Sequence, residues 1–251
     1  MLRIVTTCWN CEDYIERCLE SIKSQSVEDW VCYIIDDLSV DETPQKIKVF
    51  ADTDGRFVFI QNTEKRFVAG NYYHTLNRPE IRPEDICINV DGDDWLPHNN
   101  VFDRVQQIYS DPKVWTSYGS YEIYTERSGV AVGWAALQED LADARDVNKP
   151  WLISHLRTFR VWLFRLIKPE DLIDENGEFY PMAGDLAIMA PVIEMAGHEH
   201  SRFVEDILYC YNGLNNLSEH KRPGGEQSNC TWRIKAKEPY KKIQGDPHGK
   251  D

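Results

Sequence analysis

The stretch EDICINVDGDDWLP, residues 84–97, joins a short apolar run to a cluster of acids. The run ICINV at 86–90 predicts a buried β-strand. It leads into three carboxylates around one glycine, namely Asp91, Gly92, Asp93 and Asp94. Carboxylates this close raise one another's pKa unless a cation or hydrogen-bond donors compensate them, and carboxylate oxygens bind Mg²⁺ and Mn²⁺. This stretch alone fits a divalent-metal site and a solvated acidic turn equally well, with Asp94 or Asn99 capping the next helix.

Strands and helices alternate on both sides of this stretch through residue 110. Apolar runs predict strands at 2–7, 30–35, 57–60 and 86–90, and helical periodicity predicts helices at 11–22, 41–50, 66–77 and from 97 onward. Such alternation is typical of an α/β fold with a mostly parallel sheet flanked by helices. Ligands bind at the carboxyl ends of the strands in these sheets. We therefore expect the polar clusters at 6–10, 36–41 and 91–94 to line one crevice.

The second half has a less regular pattern. We predict extended structure at 114–124, a loop at 127–150, a helix at 151–167, a helix at 185–196 and a strand at 203–211. From Pro223 the chain is polar, and we expect it to be poorly ordered past Lys241.

Composition and charge exclude several classes of function. The net charge of −14 disfavours a nucleic-acid partner held through its phosphates. No apolar run reaches the 18 residues of a membrane span, and the N-terminus has no signal-peptide pattern. The seven cysteines are an odd number in a chain of 251 residues, which indicates reduced thiols and a cytoplasmic protein. Cys8 and Cys11 form a CxxC pair, but no second pair follows at zinc-ribbon spacing, so we expect structural thiols.

The segments TTCWN, YIERCLESIKSQ and DDLSVDET within residues 4–43, followed by INVDGDDWLP, resemble glycosyltransferase family 2. That family consists of inverting enzymes with the GT-A (Rossmann-like) fold, and the acid cluster resembles its DxD motif. The family often has glycine where this chain has Leu38. The resemblance implies one domain with a nucleotide-sugar-binding half at 1–110, an acceptor-binding half at 111–222 and a C-terminal tail at 223–251.

The resemblance also implies site residues. Those expected to contact the nucleotide or its diphosphate are Thr6, Thr7, Asn10, Asp36, Asp37, Arg66, Asn71, Asp91, Gly92 and Lys221. Those expected to hold Mn²⁺ or Mg²⁺ are Asp91, Asp93 and His220, with Asp94 in support. The expected general base is Asp185, at a predicted helix start where it is also a candidate helix cap, and the alternatives are Glu194 and Asp206. Residues expected to face the sugar or acceptor are Tyr118, Tyr121, Trp134, His155 and Arg157.

The function implied by the resemblance is transfer of a sugar from a nucleotide-sugar, in the first place a UDP-sugar, to a hydroxyl of a glycan, lipid-linked or protein acceptor. A nucleotidyltransferase is an alternative, although the loop TTCWNCEDY lacks the glycine-rich basic character that such an enzyme needs. A non-catalytic interaction module that keeps the GT-A fold is a second alternative.

Overall fold

The computed structural model describes residues 1–125, 131–132, 144–148, 151, 153–217, 225–245 and 247. The described strands are β1 (Leu2–Cys8), β2 (Trp30–Asp36), β3 (Phe57–Gln61), β4 (Ile86–Asn89), β5 (Thr116–Gly119), β6 (Glu122–Tyr124), β7 (Ala131–Val132), β8 (Thr158–Arg160), β9 (Ser201–Val204) and β10 (Cys210–Asn212). The described α-helices are α1 (Ile15–Lys23), α2 (Thr43–Thr53), α3 (Phe67–Leu76), α4 (Val101–Tyr109), α5 (Val161–Arg165), α6 (Gly184–His200) and α7 (Glu226–Lys235).

The main sheet of the described residues has seven strands in the order β3-β2-β1-β4-β8-β5-β9. Strands β1 to β4 pair in parallel, with Ile4 opposite both Cys32 and Ile88. Strand β8 is antiparallel to both of its neighbours, β4 and β5. A smaller sheet joins β10, β6 and β7. The structure thus confirms the predicted single-domain α/β fold with a mostly parallel sheet between helices.

Both faces of the main sheet are buried. Ile4 and Ile34 belong to one hydrophobic cluster, whereas Val5 and Ile35 belong to the other, because successive strand residues point to opposite faces. Helices α1, α2 and α4 cover the first face, and α3, α5, α6 and α7 cover the second. Burial on two sides explains why the strands consist of continuous apolar runs.

The helix predicted at 151–167 is wrong over its described residues. The segment contains strand β8 and the short helix α5, and Phe159 lies opposite both Cys87 and Thr116. Its apolar residues are divided between the two faces, since Leu156 packs in the first cluster and Leu163 in the second. Pairing with two distant strands outweighs the local helical period here, and such pairing is set by tertiary context.

The C-terminal third differs from the prediction in two further places. The strand predicted at 203–211 is two strands, β9 and β10, which belong to different sheets. The polar tail predicted from Pro223 contains helix α7, whose Cys230 and Ile234 join the core. The helix predicted at 185–196 is confirmed and extends as α6 to His200. None of the described helices is long and apolar enough to span a bilayer.

Candidate active site

A cavity of about 520 Å³ opens where β1, β2 and β4 end. The predicted site residues that line it are Thr7, Asp37, Asn71, Asp91, Asp93 and Asp185. The same cavity is lined by Asp94, His155 and Arg157, and by residues the sequence did not single out, including Lys65, Tyr211 and Asn215. The three polar clusters expected to share one crevice therefore do so, because parallel strands bring their carboxyl ends to one edge.

Five of the described residues predicted to contact the nucleotide or its diphosphate do not line this cavity. Thr6 and Asp36 are fully buried, with the Thr6 hydroxyl 3.6 Å from Cys32 Sγ. Asn10 connects two loops, because its backbone N–H donates to Ser39 Oγ and its side-chain oxygen accepts from Val40 N. The Arg66 guanidinium pairs with Glu64, while only its backbone N–H reaches the site, as a donor to Asp37. In each of these four residues, the polar group of the side chain is either bonded to other protein groups or enclosed in the protein, away from the cavity.

The fifth residue, Gly92, lies among the three acids, at a place where a side chain would not fit against its neighbours. A Cβ built at Gly92 would lie 2.5 Å from Cys8 Sγ, 3.1 Å from the Thr7 carbonyl oxygen and 3.3 Å from Cys11 Sγ. The seven cysteines, all within the described residues, carry free thiols. The thiols of the CxxC pair therefore pack so closely against residue 92 that only glycine fits there.

His220, Lys221 and Trp134 lie outside the described residues. Of the alternative bases, Glu194 accepts from Arg145 at 2.6 Å and Asp206 pairs with Arg104 at 2.8 Å. Neither Glu194 nor Asp206 lines the cavity, and neither do the aromatic side chains of Tyr118 and Tyr121.

Hydrogen bonds from residues 209–217 hold the acid loop, which consists of residues 91–94. The Tyr209 hydroxyl donates to Asp94 Oδ2 at 2.7 Å, and Asn212 N donates to Asp94 Oδ1 at 2.7 Å. Asn215 Nδ2 donates to Asp93 Oδ2 at 2.7 Å. Both carboxylates are thus oriented by donors from a part of the chain more than a hundred residues away.

The acid loop carries more negative charge than its surroundings compensate. Burial, followed by the charge of Asp93, raises the pKa of Asp91 to about 6. Burial and the charges of Asp93 and Asp91 raise the pKa of Asp94 well above its ordinary value. Carboxyls in this condition are stabilised as anions when a cation joins them.

His155 completes a group of possible metal ligands. A carboxylate oxygen from each of Asp91 and Asp94 and a ring nitrogen of His155 all lie within 4.8 Å of one another. The imidazole stacks on Tyr209 with the ring centroids 4.2 Å apart, and its Nδ1 has no hydrogen-bond partner among the described residues. Burial keeps the pKa of His155 well below its ordinary value, so the ring is neutral and available as a ligand. The two carboxylate oxygens suit Mn²⁺ or Mg²⁺, and the imidazole suits a transition metal, so this set fits Mn²⁺ better than Mg²⁺. Asp93 lines the same cavity, with its Oδ2 accepting from Asn215.

Asp37 organises the opposite wall of the cavity. Its Oδ1 accepts from Asn62 Nδ2 at 2.7 Å and from Arg66 N at 2.9 Å, and its Oδ2 accepts from Phe67 N at 2.9 Å. The turn after Asp37 forms although leucine replaces the family's glycine, because Leu38 adopts a left-handed conformation with φ 65°. That conformation costs a non-glycine residue about 1–2 kcal/mol.

Asn71 offers a free donor beside Asp37. Its Oδ1 accepts from Asn62 Nδ2 at 2.7 Å, while its own Nδ2 is buried and has no hydrogen-bond partner among the described residues. A buried N–H₂ facing a cavity is a ready donor to a carbonyl or hydroxyl oxygen of a ligand.

Asp185 lies at the start of α6, on the side of the cavity facing the acid loop. Ala183 precedes the helix in a left-handed conformation, and Gly184 packs so closely on α3 that a Cβ there would lie 2.7 Å from Val68 Cβ. Asp185 Oδ2 pairs with Arg157 Nη2 at 2.8 Å. Asp185 therefore stands at a helix N-terminus with a guanidinium beside its carboxylate.

Known proteins resemble this chain both in sequence and in fold. The sequence model of glycosyl transferase family 2 matches residues 3–166. The chain belongs to glycosyl transferase family 2. The match runs through the acid loop and ends in α5, so it contains most of the site described above. It stops before Asp185.

Individual curated relatives have low sequence identity to this chain, and each match covers only part of the relative. The chain is 23% identical to the glycosyltransferase GlyA of Streptococcus pneumoniae over 142 residues, which are 51% of this chain and 18% of GlyA. The chain spans about a fifth to a third of the length of the curated relatives it matches.

Solved structures share the fold. S. aureus TarS residues 1–349 in complex with UDP-GlcNAc superposes with a TM-score of 0.66 at 15% identity, covering 93% of this chain and 65% of that one. The mannosyltransferase PcManGT from Pyrobaculum calidifontis, in complex with GDP-Man and Mn²⁺, has a TM-score of 0.56 at 18% identity and covers 87% of this chain and 58% of that one. The chain therefore has the GT-A fold that the sequence predicted.

Proposed function

We propose that this protein transfers a sugar from a nucleoside diphosphate-sugar, in the first place a UDP-sugar, to an acceptor hydroxyl with inversion at the anomeric carbon. The proposal is carried by one cavity that is lined both by the acid loop and by Asp185 at the start of α6. A metal-assisted leaving group and a separate general base are the two requirements of a single-displacement transfer.

The nucleoside would bind between β1 and α3, where Thr7, Asp37 and Asn71 line the cavity. The free Asn71 Nδ2 would donate to a carbonyl of the base or to a ribose oxygen. UDP is favoured because TarS, which shares the fold, was solved with UDP-GlcNAc and with UDP. GDP is the second nucleotide to test, since PcManGT was solved with GDP-Man.

Asp91, Asp94 and His155 would hold the divalent cation, with Asp93 adjacent to them in the cavity wall. The cation would neutralise the negative charge that develops on the departing nucleoside diphosphate. Compared with the ligands implied by the family resemblance, this set shares Asp91 and adds Asp94 and His155, while Asp93 lines the same cavity and His220 lies outside the described residues.

Asp185 would act as the general base. As the acceptor oxygen forms its bond to the anomeric carbon and the bond to the diphosphate breaks, the hydroxyl proton passes to the Asp185 carboxylate. The diphosphate leaves with its electron pair, and one displacement inverts the configuration. In this scheme residues 1–110 supply the donor wall, residues 111–222 supply the base and the acceptor side, and Gln227 adds a contact from the C-terminal segment.

The acceptor would be a hydroxyl of a glycan, a lipid-linked saccharide or a protein. We also propose a cytoplasmic location, where nucleotide-sugars are made, because the seven thiols are free and buried.

The test is a transfer assay with UDP-sugars and GDP-sugars, with Mn²⁺, with Mg²⁺ and with EDTA. We expect metal-dependent release of UDP, and we expect Asp185→Asn to lower it by about 10²–10⁴-fold, the usual contribution of a general base. Asp52→Asn, which breaks an exposed ion pair with Lys48 on α2, is the matched control and should keep full activity. Release of pyrophosphate from a nucleoside triphosphate and a sugar phosphate would instead identify a nucleotidyltransferase. Absence of nucleotide binding in every condition would leave only the interaction-module alternative.

A further inference from the structure

Arg157 is a buried cation whose position follows from the sheet. Its carbonyl oxygen accepts from Asn89 N at 3.1 Å, so the residue continues the pairing of β8 with β4. The residue is 8% exposed and lines the cavity. The backbone therefore fixes the guanidinium stem beside the strand that carries the acid loop.

The shortest described contact of this guanidinium is with the proposed base. Arg157 Nη2 lies 2.8 Å from Asp185 Oδ2, whereas Nη1 is 3.4 Å from Asn89 Oδ1 and Nε is 3.2 Å from the Ile153 carbonyl oxygen. The Asp185 side chain is 33% exposed, so the ion pair borders the open space of the cavity. While Asp185 Oδ2 is paired with the guanidinium, that oxygen is occupied and does not face an acceptor hydroxyl.

Few cations are available to an incoming diphosphate among the described residues that line the cavity. Its described lining has five aspartates, namely Asp37, Asp91, Asp93, Asp94 and Asp185, but only two residues with permanent positive charge, Lys65 and Arg157. Lys65 Nζ already lies 2.8 Å from the Asp37 carbonyl oxygen and 3.4 Å from Asp37 Oδ2, on the nucleoside side. Among the described lining residues, Arg157 is consequently the cation beside Asp185, and its planar fork suits phosphate oxygens.

We propose that Arg157 exchanges between two anions. It pairs with Asp185 when the cavity holds no donor, and it turns to the diphosphate when a nucleoside diphosphate-sugar binds. The exchange rests on the proposed function and adds a coupling to it: donor binding releases the Asp185 carboxylate, so the base becomes competent only when a sugar is in place. Arg157 is thus a positioning residue for Asp185 and a ligand of the diphosphate.

The exchange makes Asp185 a competitor of the diphosphate for one guanidinium. Removing the Asp185 charge should therefore tighten binding of a nucleoside diphosphate, although the same substitution removes the base. The expected effect is about fivefold, the scale of a partly exposed ion pair. Uridine has no phosphate, so its affinity should not change.

The experiment measures the affinity of UDP and of uridine by calorimetry at a fixed Mn²⁺ concentration. The proteins are the wild type, Asp185→Asn, Arg157→Gln, Arg157→Lys and the double variant of Asp185→Asn with Arg157→Gln. We expect Asp185→Asn to bind UDP about fivefold tighter than wild type, Arg157→Gln to bind it at least as much weaker, and the tightening to vanish in the double variant. Arg157→Lys should keep part of the UDP affinity, which also guards against a folding defect in Arg157→Gln. Asp52→Asn should match wild type for both ligands.

Equal UDP affinity in wild type and Asp185→Asn would overturn the exchange while leaving the proposed function intact. The same tightening in the Arg157→Gln background would do so too, because Arg157 would then not be the group released. If the wild type binds neither UDP nor GDP in the same calorimetric measurement, the proposed function and the exchange are overturned together.

Discussion

At the residue scale, the acid loop combines unfavourable charge with unusually close packing. Asp91, Asp93 and Asp94 stand within one turn. Asp94 is buried and Asp91 is partly buried, and both have raised pKa values. The neutral imidazole of His155 faces the same space. Such a group is stable as a set of anions only when a cation joins it, and this gives the loop a dependence on pH.

We predict that affinity for Mn²⁺ rises as the pH rises through about 6 and levels off above that range. Burial and the Asp93 charge raise the pKa of Asp91 to about 6, so a proton competes with the metal below it. The raised pKa of Asp94 acts in the same direction. Without metal, the stability of the fold changes with pH in the opposite direction. The folded state holds the Asp91 proton more tightly than the unfolded chain does, so the contribution of Asp91 to the free energy of unfolding falls as the pH rises from about 4 to 6. Calorimetric titration with Mn²⁺ between pH 5 and 8 checks this, and an affinity that is constant from pH 5 to 7 would contradict it.

We predict that Gly92→Ala abolishes most of the transfer activity. The new Cβ would overlap Cys8 Sγ, and the acid loop would have to move by several tenths of an ångström from its ligand geometry. Adding Cys8→Ala should restore part of the activity, since it removes the thiol that the Cβ meets at 2.5 Å. Steady-state rates and Mn²⁺ affinity of the single and double variants decide the matter. No recovery in the double variant, with both proteins folded, would mean that the thiol contact is not the constraint.

At the scale of secondary-structure elements, β8 and α7 matter most to the site and to the core. Strand β8 brings His155 and Arg157 beside the acid loop, because it inserts between β4 and β5. Helix α7 covers part of the second face of the sheet with Cys230 and Ile234. Neither element was predicted, since β8 follows a helix-like apolar period and α7 has only a narrow apolar stripe on a polar helix.

We predict that Ile234→Ala lowers the free energy of unfolding by about 2–5 kcal/mol, the usual cost of truncating a buried aliphatic side chain. Ile234 is 1% exposed. Trp232 lies on the same helix and is 63% exposed, so Trp232→Ala should change stability by less than about 0.5 kcal/mol. Urea unfolding of both variants tests whether α7 is part of the core. Equal and small effects would show that residues 223–251 behave as the tail that the sequence alone predicted.

At the scale of the whole molecule, one cavity draws on nearly the full length of the chain. Thr7 lies near the start of the chain and Gln227 near its end, and both line the cavity. The two hydrophobic clusters share the strands of one sheet. We therefore expect ligand binding and global unfolding to be coupled.

We predict that wild-type protein unfolds in a single transition and that UDP with Mn²⁺ raises its midpoint. A ligand present at a hundred times its dissociation constant adds about 2.7 kcal/mol to the stability of the state that binds it. Differential scanning calorimetry with and without UDP and Mn²⁺ provides the check, with uridine alone as the weaker-binding control. Two separate transitions, of which the ligand moves only one, would contradict the single domain.

The amino-acid sequence by itself determined the α/β architecture of the first 110 residues and the place of the acids at its edge. Continuous apolar runs require strands buried on both faces, and polar residues directly after such strands must meet where the strands end. Only the tertiary structure decided which side chains those acids face. His155 and Arg157 reach the site through the antiparallel insertion of β8, and the donors to Asp93 and Asp94 come from residues 209–217. These contacts join residues separated by more than sixty positions, so no local period or propensity encodes them.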